Sequence, residues 1–207
     1  MPRHSDERTE NRRQEIINAC RKLYKTMGFR DITLKEISTA TSLSRPSIYN
    51  YFETKEEIFL AIMQQEYEAW VADLTAITTA HETLTHGEFS SLLAHSLENR
   101  PDLLKLMSMN HFDMEENSRL ERLVEFKRAY GSSLSAVDAM LQKFFPSFTE
   151  RQRQDFIYTF FPFIFGIYPY AVVSERQRDA ITQAGLDFKY LSVYEITYNG
   201  ILRLLEE

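Results

Sequence analysis

The sequence has a single cysteine, Cys20, so no intrachain disulfide can hold it together. That suits a reducing compartment such as the cytoplasm. Glycine and proline are scarce, six of each in 207 residues. Their rarity argues against a turn-rich β protein, and the abundant Leu, Ile, Glu, Arg and Gln favour an all-α fold. The sequence also lacks a phosphate-cradling glycine loop, a nucleophile elbow and a Cys/His pairing. Beyond the N-terminal His4, the histidines His81, His86, His95 and His111 are scattered. His111, Asp113, Glu115 and Glu116 are metal-capable donors, but no second His stands beside them at helical spacing. These absences predict a non-enzyme with no metal site and no cofactor.

Long apolar runs are nearly missing as well. The exception is 156–173, FIYTFFPFIFGIYPYAVV, 18 residues without a formal charge. That is the short end of a membrane span. The stretch holds Pro162, Gly166, Pro169 and three tyrosines, and its flanks carry both charge signs. It reads as the buried centre of a helical bundle, with a membrane-anchored sensor as the rival. The opening MPRHSDERTENRR reads as too polar for a secretory leader. A soluble, cytoplasmic protein without a membrane partner is the expectation.

Positive charge is in deficit, with a net charge of −6. The deficit is uneven. Residues 1–60 carry 11 Lys and Arg against 9 Asp and Glu, while the rest carries 13 against 21. The front is therefore net basic, and local charge decides docking to a polyanion.

In that front lies 33–52, TLKEISTATSLSRPSIYNYF. Before it, Glu10–Met27 has Ile16, Cys20, Leu23 and Met27 at helical spacing, with Gly28 as a left-handed stop. Residues 1–9 read as a frayed polar arm, either a solvated terminus or one from which Arg3 and Arg8, with Arg12 and Arg13, reach a phosphate or a minor groove. Thr33-x-x-Glu36 matches a capping box and starts a helix to about Thr41. Leu43 plugs the turn, Ser44 caps the next helix, and Pro46 sits in its first turn. That short helix, 45–51, carries Arg45, Ser47, Tyr49, Asn50 and Tyr51, with little that is apolar. Hydroxyls, an amide and exposed tyrosines donate to phosphates and reach base edges, so the pair reads as a groove-reading helix-turn-helix. Thr54-x-x-Glu57 is a second capping box, and Lys55 sits in the first turn of its helix, where an anion is already favoured.

The run from Arg12 to about Ile62 resembles the N-terminal domain of the TetR (tetracycline repressor) family of bacterial regulators. The matching residues are Gly28-Phe29, Thr33 with Ile37, Leu43-Ser44, and Tyr49-x-Tyr51-Phe52 followed by Lys55-Glu56-Glu57. The resemblance implies phosphate contacts from Thr33, Tyr49 and Lys55. It also implies base or phosphate contacts from Arg45, Ser47 and Asn50; Ser44 and Tyr51 complete the expected DNA-binding set. Two positions depart from the family pattern: Ser42 stands where glycine is usual, and Pro46 where a small residue is usual.

Beyond residue 80 the resemblance is architectural. Helices are expected over 87–99, 101–109, 118–145, 149–174, 175–184 and 190–205. The expected division is a DNA-binding domain, 1–55, with three helices, and a helical effector-binding and dimerisation domain, 56–207. Large adaptable side chains, among them Met107, His111, Phe126, Tyr130, Phe161 and Phe165, fit either plain core packing or an effector pocket, and the resemblance implies the pocket. The resemblance places a four-helix dimer interface on the last two long helices, from Phe160, Phe163, Ile167, Tyr170, Tyr194, Tyr198 and Ile201. The reading is a homodimeric repressor of double-stranded DNA, released from a palindromic operator by a small-molecule effector. The alternative is an effector-independent, DNA-bound protein that recruits a partner through its C-terminal domain.

Overall fold

The computed structural model describes the backbone of residues 3–109 and 111–206; side chains at 3–6 and 111–113 are outside the description. Eleven helices and no strand occur among the described residues. They are α1 (Arg3–Tyr24), α2 (Leu34–Thr39), α3 (Arg45–Ile48), α4 (Lys55–Ala80), α5 (His86–Glu98), α6 (Pro101–Met107), α7 (His111–Glu116), α8 (Leu120–Phe144), α9 (Glu150–Ala171), α10 (Glu175–Gln183) and α11 (Val193–Glu206).

The chain forms two compact units. One is Met1–Gln65 with Asn110–Arg128, and the other is Glu66–Met109 with Ala129–Glu207. This differs from a division at residue 55. The opening turns of α4 complete the first unit's core through Ile58, Phe59 and Ile62, all at most 1% exposed. The segment 110–128 returns to that unit as well.

In the first unit α1 buries Ile16, Ile17, Cys20 and Tyr24, α2 buries Ile37, and α3 buries Ile48. Each such side chain contributes about 1.5–3 kcal/mol when fully buried. The Tyr24 and Phe29 rings meet Phe59 edge-on, with centroids 5.1 and 4.8 Å away. Cys20 is inside this cluster, and burial pushes its thiol up to about 12. It is a core side chain rather than a nucleophile.

Two expectations about α1 are corrected. The helix starts at Arg3, so the segment 3–9 is helical rather than a frayed arm. Gly28 is not left-handed, since Gly185 is the one described residue with positive φ. A Cβ at Gly28 would instead meet Asp31 Oδ2 at 3.0 Å. Gly185, with φ 67°, closes α10: its N–H donates to Thr182 O and the Leu186 N–H to Ile181 O, the paired bonds of a Schellman stop.

In the second unit, capping boxes at Thr85/Glu88 and Thr149/Gln152 start α5 and α9. Helix α11 packs chiefly on α5 and α9, and α6 packs on α9. Pro162 and Pro169 are within α9 and exposed, and neither ends it. Gly200 of α11 admits the Phe163 ring of α9 so closely that a Cβ there would come 2.7 Å from Phe163 Cε1. Among the described residues no single helix is long and apolar enough to cross a membrane; α9 and α10 meet that test only as a pair bent by 81°.

Candidate nucleic-acid interface

The helix-turn-helix is assembled from its caps inward. Thr33 Oγ1 accepts the N–H groups of Lys35 and Glu36 at 3.2 and 3.4 Å. Glu36 does not complete the expected box, and its Oε2 is buried without a hydrogen-bond partner. The turn is laced by hydroxyls: Ser38 Oγ donates to Leu43 O at 2.9 Å, and Thr41 Oγ1 donates to Ser38 O at 3.1 Å. Leu43 is 8% exposed beneath them.

Ser42 needs no glycine-like conformation, because its φ is negative. Its N–H donates to Glu15 Oε1 of α1 at 2.6 Å, and Arg12 Nη1 donates to Ser42 Oγ at 3.3 Å. The Ser42 N–H, aided by the Ser42 hydroxyl and Arg12, holds the Glu15 carboxyl below its ordinary value against a little desolvation. Sequence alone gave no sign of this strut, because Glu15 and Ser42 are 27 residues apart.

Helix α3 is regular only over Arg45–Ile48, shorter than expected; single turns continue it through Tyr51 N–H to Ile48 O and Phe52 N–H to Ile48 O. Ser44 caps it by accepting the Ser47 N–H at 3.4 Å, and the two hydroxyls are 2.8 Å apart. Pro46 falls where no intrahelical donor is lost. Ile48 faces the core, and the opposite side is exposed.

On that side stand most of the expected contact residues. Thr33, Ser44, Arg45, Tyr49 and Asn50 are exposed, while Ser47 and Tyr51 are half-buried. Arg45 Nη2 donates to Tyr49 OH at 3.2 Å, and its guanidinium is 5.9 Å from the Tyr49 ring centre. A groove of about 650 Å³ runs between α1 and α3, lined by Arg8, Thr9, Arg12, Leu43, Ser47, Asn50 and Tyr51. Two arginines and no carboxylate line it, which suits an anionic backbone.

Lys55 is placed differently. It is half-buried, its ammonium donates to Phe29 O at 2.8 Å, and it is 4.3 Å from the Phe29 ring centre. An ammonium has three donors, so two remain. Arg13 turns inward, lying 5.5 Å over the Phe52 ring and pairing with Glu10 and Glu125. The side chain of Arg3 is outside the described residues.

The C-terminal edge of this head is held by residues that sequence reasoning passed over. Glu57, 1% exposed, receives Arg119 Nε at 2.6 Å, Arg119 Nη2 at 2.7 Å and the Arg119 N–H at 3.1 Å. It also takes the Glu53 N–H at 2.8 Å. Burial works to raise the Glu57 carboxyl, but these four hydrogen bonds outweigh it and hold the group below its ordinary value. Burial alone signals no ligand here: among the described residues no group of three or more His, Cys, Asp or Glu is placed to hold a metal.

The second unit holds the remaining candidates only in part. Tyr130 and Phe161 are 5.6 Å apart edge-on, Trp70 is 6.0 Å from Phe161, and Tyr67 is 5.6 Å from Tyr130. Met107 is buried there, and Phe165 is half-buried. Phe126 belongs to the first unit instead, and the side chain of His111 lies outside the described residues.

The expected dimer face also divides. Phe160, Ile167 and Ile201 are at most 1% exposed within the unit itself, because α9 and α11 pack on each other and on α5 and α6. Phe163 turns onto Gly200. Tyr194 stacks on His95 and Tyr198, and only Tyr170, 65% exposed, points freely outward. The outward side of α9 is Tyr158, Thr159, Pro162, Gly166, Pro169 and Tyr170, with no charge among them. Beside it opens a largely apolar groove of about 400 Å³, lined by Phe163, Gly166, Ile167, Tyr170, Phe188, Lys189, Leu191 and Ile196.

Comparison with known proteins bears on these features. The family model described as bacterial regulatory proteins, tetR family, matches residues 16–62. The model described as tetracyclin repressor-like, C-terminal domain, matches residues 64–188. The HTH-type transcriptional repressor AcnR of Corynebacterium diphtheriae is 29% identical over 102 residues, which are 47% of this chain and 53% of that protein. The chain thus spans about half the length of that curated relative. A TetR/AcrR-family transcriptional regulator from Thermobifida fusca superposes with a TM-score of 0.61 at 18% identity, covering 94% of this chain and 96% of that one. FadR of Thermus thermophilus, a TetR-family repressor solved with lauroyl-CoA, superposes at 0.56 and 19% identity, covering 94% and 93%. These structures share the all-helical fold, with a helix-turn-helix head and a helical C-terminal domain. The chain belongs to the tetR family of bacterial regulatory proteins.

Proposed function

We propose that this protein is a cytoplasmic transcriptional repressor that binds double-stranded DNA as a homodimer and is released by a small-molecule effector. The observation that carries the reading is the exposed side of α3. Arg45, Tyr49 and Asn50 stand exposed there, Arg45 and Tyr49 bonded to each other, while Ile48 anchors the helix from behind. Each α3 enters a major groove, and the arginine-lined groove beside α1 takes the flanking phosphates. Thr33 accepts backbone N–H groups, so its own O–H proton remains to donate to phosphate, and the Ser44 and Ser47 hydroxyls bond each other, which leaves one of their two protons. Tyr49, Ser47, Tyr51 and Lys55 complete the contact set.

Two copies meet on the uncharged outer side of α9 with the open side of α11, which sets the spacing of a near-palindromic operator. The effector binds in the second unit, among the aromatic side chains of α4, α8 and α9, in the segments that belong to that unit. FadR of Thermus thermophilus, with its lauroyl-CoA, makes an acyl-CoA the first probe.

A fluorescence-anisotropy titration of DNA from upstream of the protein's own gene tests the reading. The parent binds with a steep salt dependence, Tyr49→Ala binds at least about tenfold more weakly, and lauroyl-CoA releases the DNA. Equal binding by Tyr49→Ala overturns the docking. One observation favours the alternative of an effector-independent DNA-bound recruiter: Tyr67, Trp70, Tyr130 and Phe161 pack directly on one another. Tight DNA binding with no thermal shift in an acyl-CoA and metabolite screen would select it.

A further inference from the structure

The α7–α8 junction, residues 117–122, closes on the reading head from more than 60 positions away in the sequence. Arg119 Nη2 and Arg122 Nη2 both reach Tyr51 O, at 3.4 and 3.5 Å, and Tyr51 lies in the turns that carry the chain from α3 toward α4. Arg119 grips Glu57 with two guanidinium nitrogens while its own N–H completes the hold. Arg122 lies 5.9 Å over the Phe52 ring, and Arg13 of α1 lies 5.5 Å from the same ring centre. Thr54 Oγ1 donates to Asn117 O at 2.8 Å, tying the start of α4 to the same junction.

The arrangement has features a chance surface pair lacks. Glu57 is buried, and a buried carboxylate without its partner is strongly unfavourable. The fork is bidentate, which fixes direction as well as distance. The bonds to Tyr51 O hold the turns that follow α3, a helix with only one regular turn and little stiffness of its own.

We propose that Arg119 and Arg122 are positioning residues for DNA reading: without touching DNA, they fix the exit of α3 and so the aim of Tyr49, Asn50 and Tyr51. The inference rests on the DNA-binding reading above for its consequence, though not for its structural part. Geometry of this kind matters because a groove contact a fraction of an ångström out of place loses its bidentate partner.

The test uses the full chain. Arg119→Met alone leaves Glu57 buried and unpaired and risks unfolding, so the principal variant is the double replacement Glu57→Gln with Arg119→Gln, with Arg122→Gln as an independent second. Amide hydrogen exchange is read first, without DNA. Exchange over residues 50–54 accelerates about tenfold or more, while the amides of 16–20 in α1 keep the parent's rates. DNA binding is read next across a salt series on the upstream fragment. Affinity falls about tenfold with an unchanged salt slope, because no phosphate contact has been removed. Arg119→Lys, which keeps the charge and loses the fork, recovers only part of either effect. Exchange over 50–54 equal to the parent's in both variants overturns the proposal. So does a salt slope reduced by about one, which would make the arginine a phosphate contact. If the parent binds no DNA, the DNA-binding reading fails by itself, and the exchange measurement still decides whether the clamp holds α3.

Discussion

Replacing Lys55 with methionine keeps the length and apolar stem of the side chain and removes only its ammonium. That group has two roles to separate. In the free protein it donates to Phe29 O at 2.8 Å and is 4.3 Å from the Phe29 ring centre. A hydrogen bond from a charged donor is worth about 1.5–3 kcal/mol, and the half-exposed site puts this one at the lower end. The cation over the ring adds about 0.5 kcal/mol. Against these, a positive charge in the first turn of α4 opposes the helix dipole by about 0.5 kcal/mol, and methionine relieves it. The net loss is about 1.5 kcal/mol. For a chain of this size that lowers Tm by about 3–6 °C, which differential scanning calorimetry resolves.

The same substitution tests the phosphate contact. Two ammonium donors remain beyond Phe29 O, and the proposed docking gives one of them to a phosphate. Its loss then reduces the slope of log affinity against log salt by about 0.9. A lowered Tm with an unchanged slope refutes Lys55 as a phosphate ligand and leaves it a strut between the 28–32 loop and α4. An unchanged Tm refutes the strut, and with it the weighing of the three terms above.

Two further outcomes follow from other sites. Because its hydrogen bonds hold the Glu57 carboxyl below the unfolded value of about 4.3, its contribution is complete above that pH and is lost as pH falls through the lower folded value. Arg119, itself beside Glu53 and Glu121, is the charge against it, and the Glu57→Gln with Arg119→Gln variant flattens the fall of Tm as pH drops below about 4.3; a parent-like fall refutes the linkage. Gly200→Val drives a side chain into the Phe163 ring and costs about 1–3 kcal/mol in a urea melt, while adding Phe163→Ala to it restores most of the loss; a single variant as stable as the parent refutes the close approach.

Much of the first unit was legible because its signals are local. Thr33, Ser44 and Thr54 cap helices a few residues away, and a cap is readable from the residues that follow it. The apolar spacing of Ile16, Cys20, Ile37 and Ile48 marked faces that the fold buries. The same reasoning misplaced Gly28, since a glycine after a helix fits both a left-handed stop and a close approach, and here Asp31 makes it the latter. In the second unit, periodicity marked Phe160, Ile167 and Ile201 as apolar and could not say which apolar face turns inward. Helix α9 buries Phe156, Phe160 and Ile167 together with Ile157, Phe161 and Ile164, and which of its sides is left outward depends on neighbours such as α6 and α11, which periodicity within α9 does not see.

The clamp at Glu57 shows the deeper limit. Within seven residues only the spacing from Thr54 sets Glu57 apart from Glu56, its neighbour in the same acidic first turn, and that spacing says nothing of burial. One is 1% exposed and the other half-exposed, and only the arrival of Arg119, 62 residues on, separates them. The capping-box pattern gave Glu57 a local reason to exist and no cause to look further, although in the structure its carboxylate takes the Glu53 N–H rather than the Thr54 N–H the box calls for. Yet the Glu57 oxygens serve Glu53 N–H and Arg119 together. A side chain with a sufficient local role can therefore carry a long-range one unseen. Sequence reasoning should treat a capping carboxylate beside a functional helix as a candidate anchor for an arginine elsewhere in the chain.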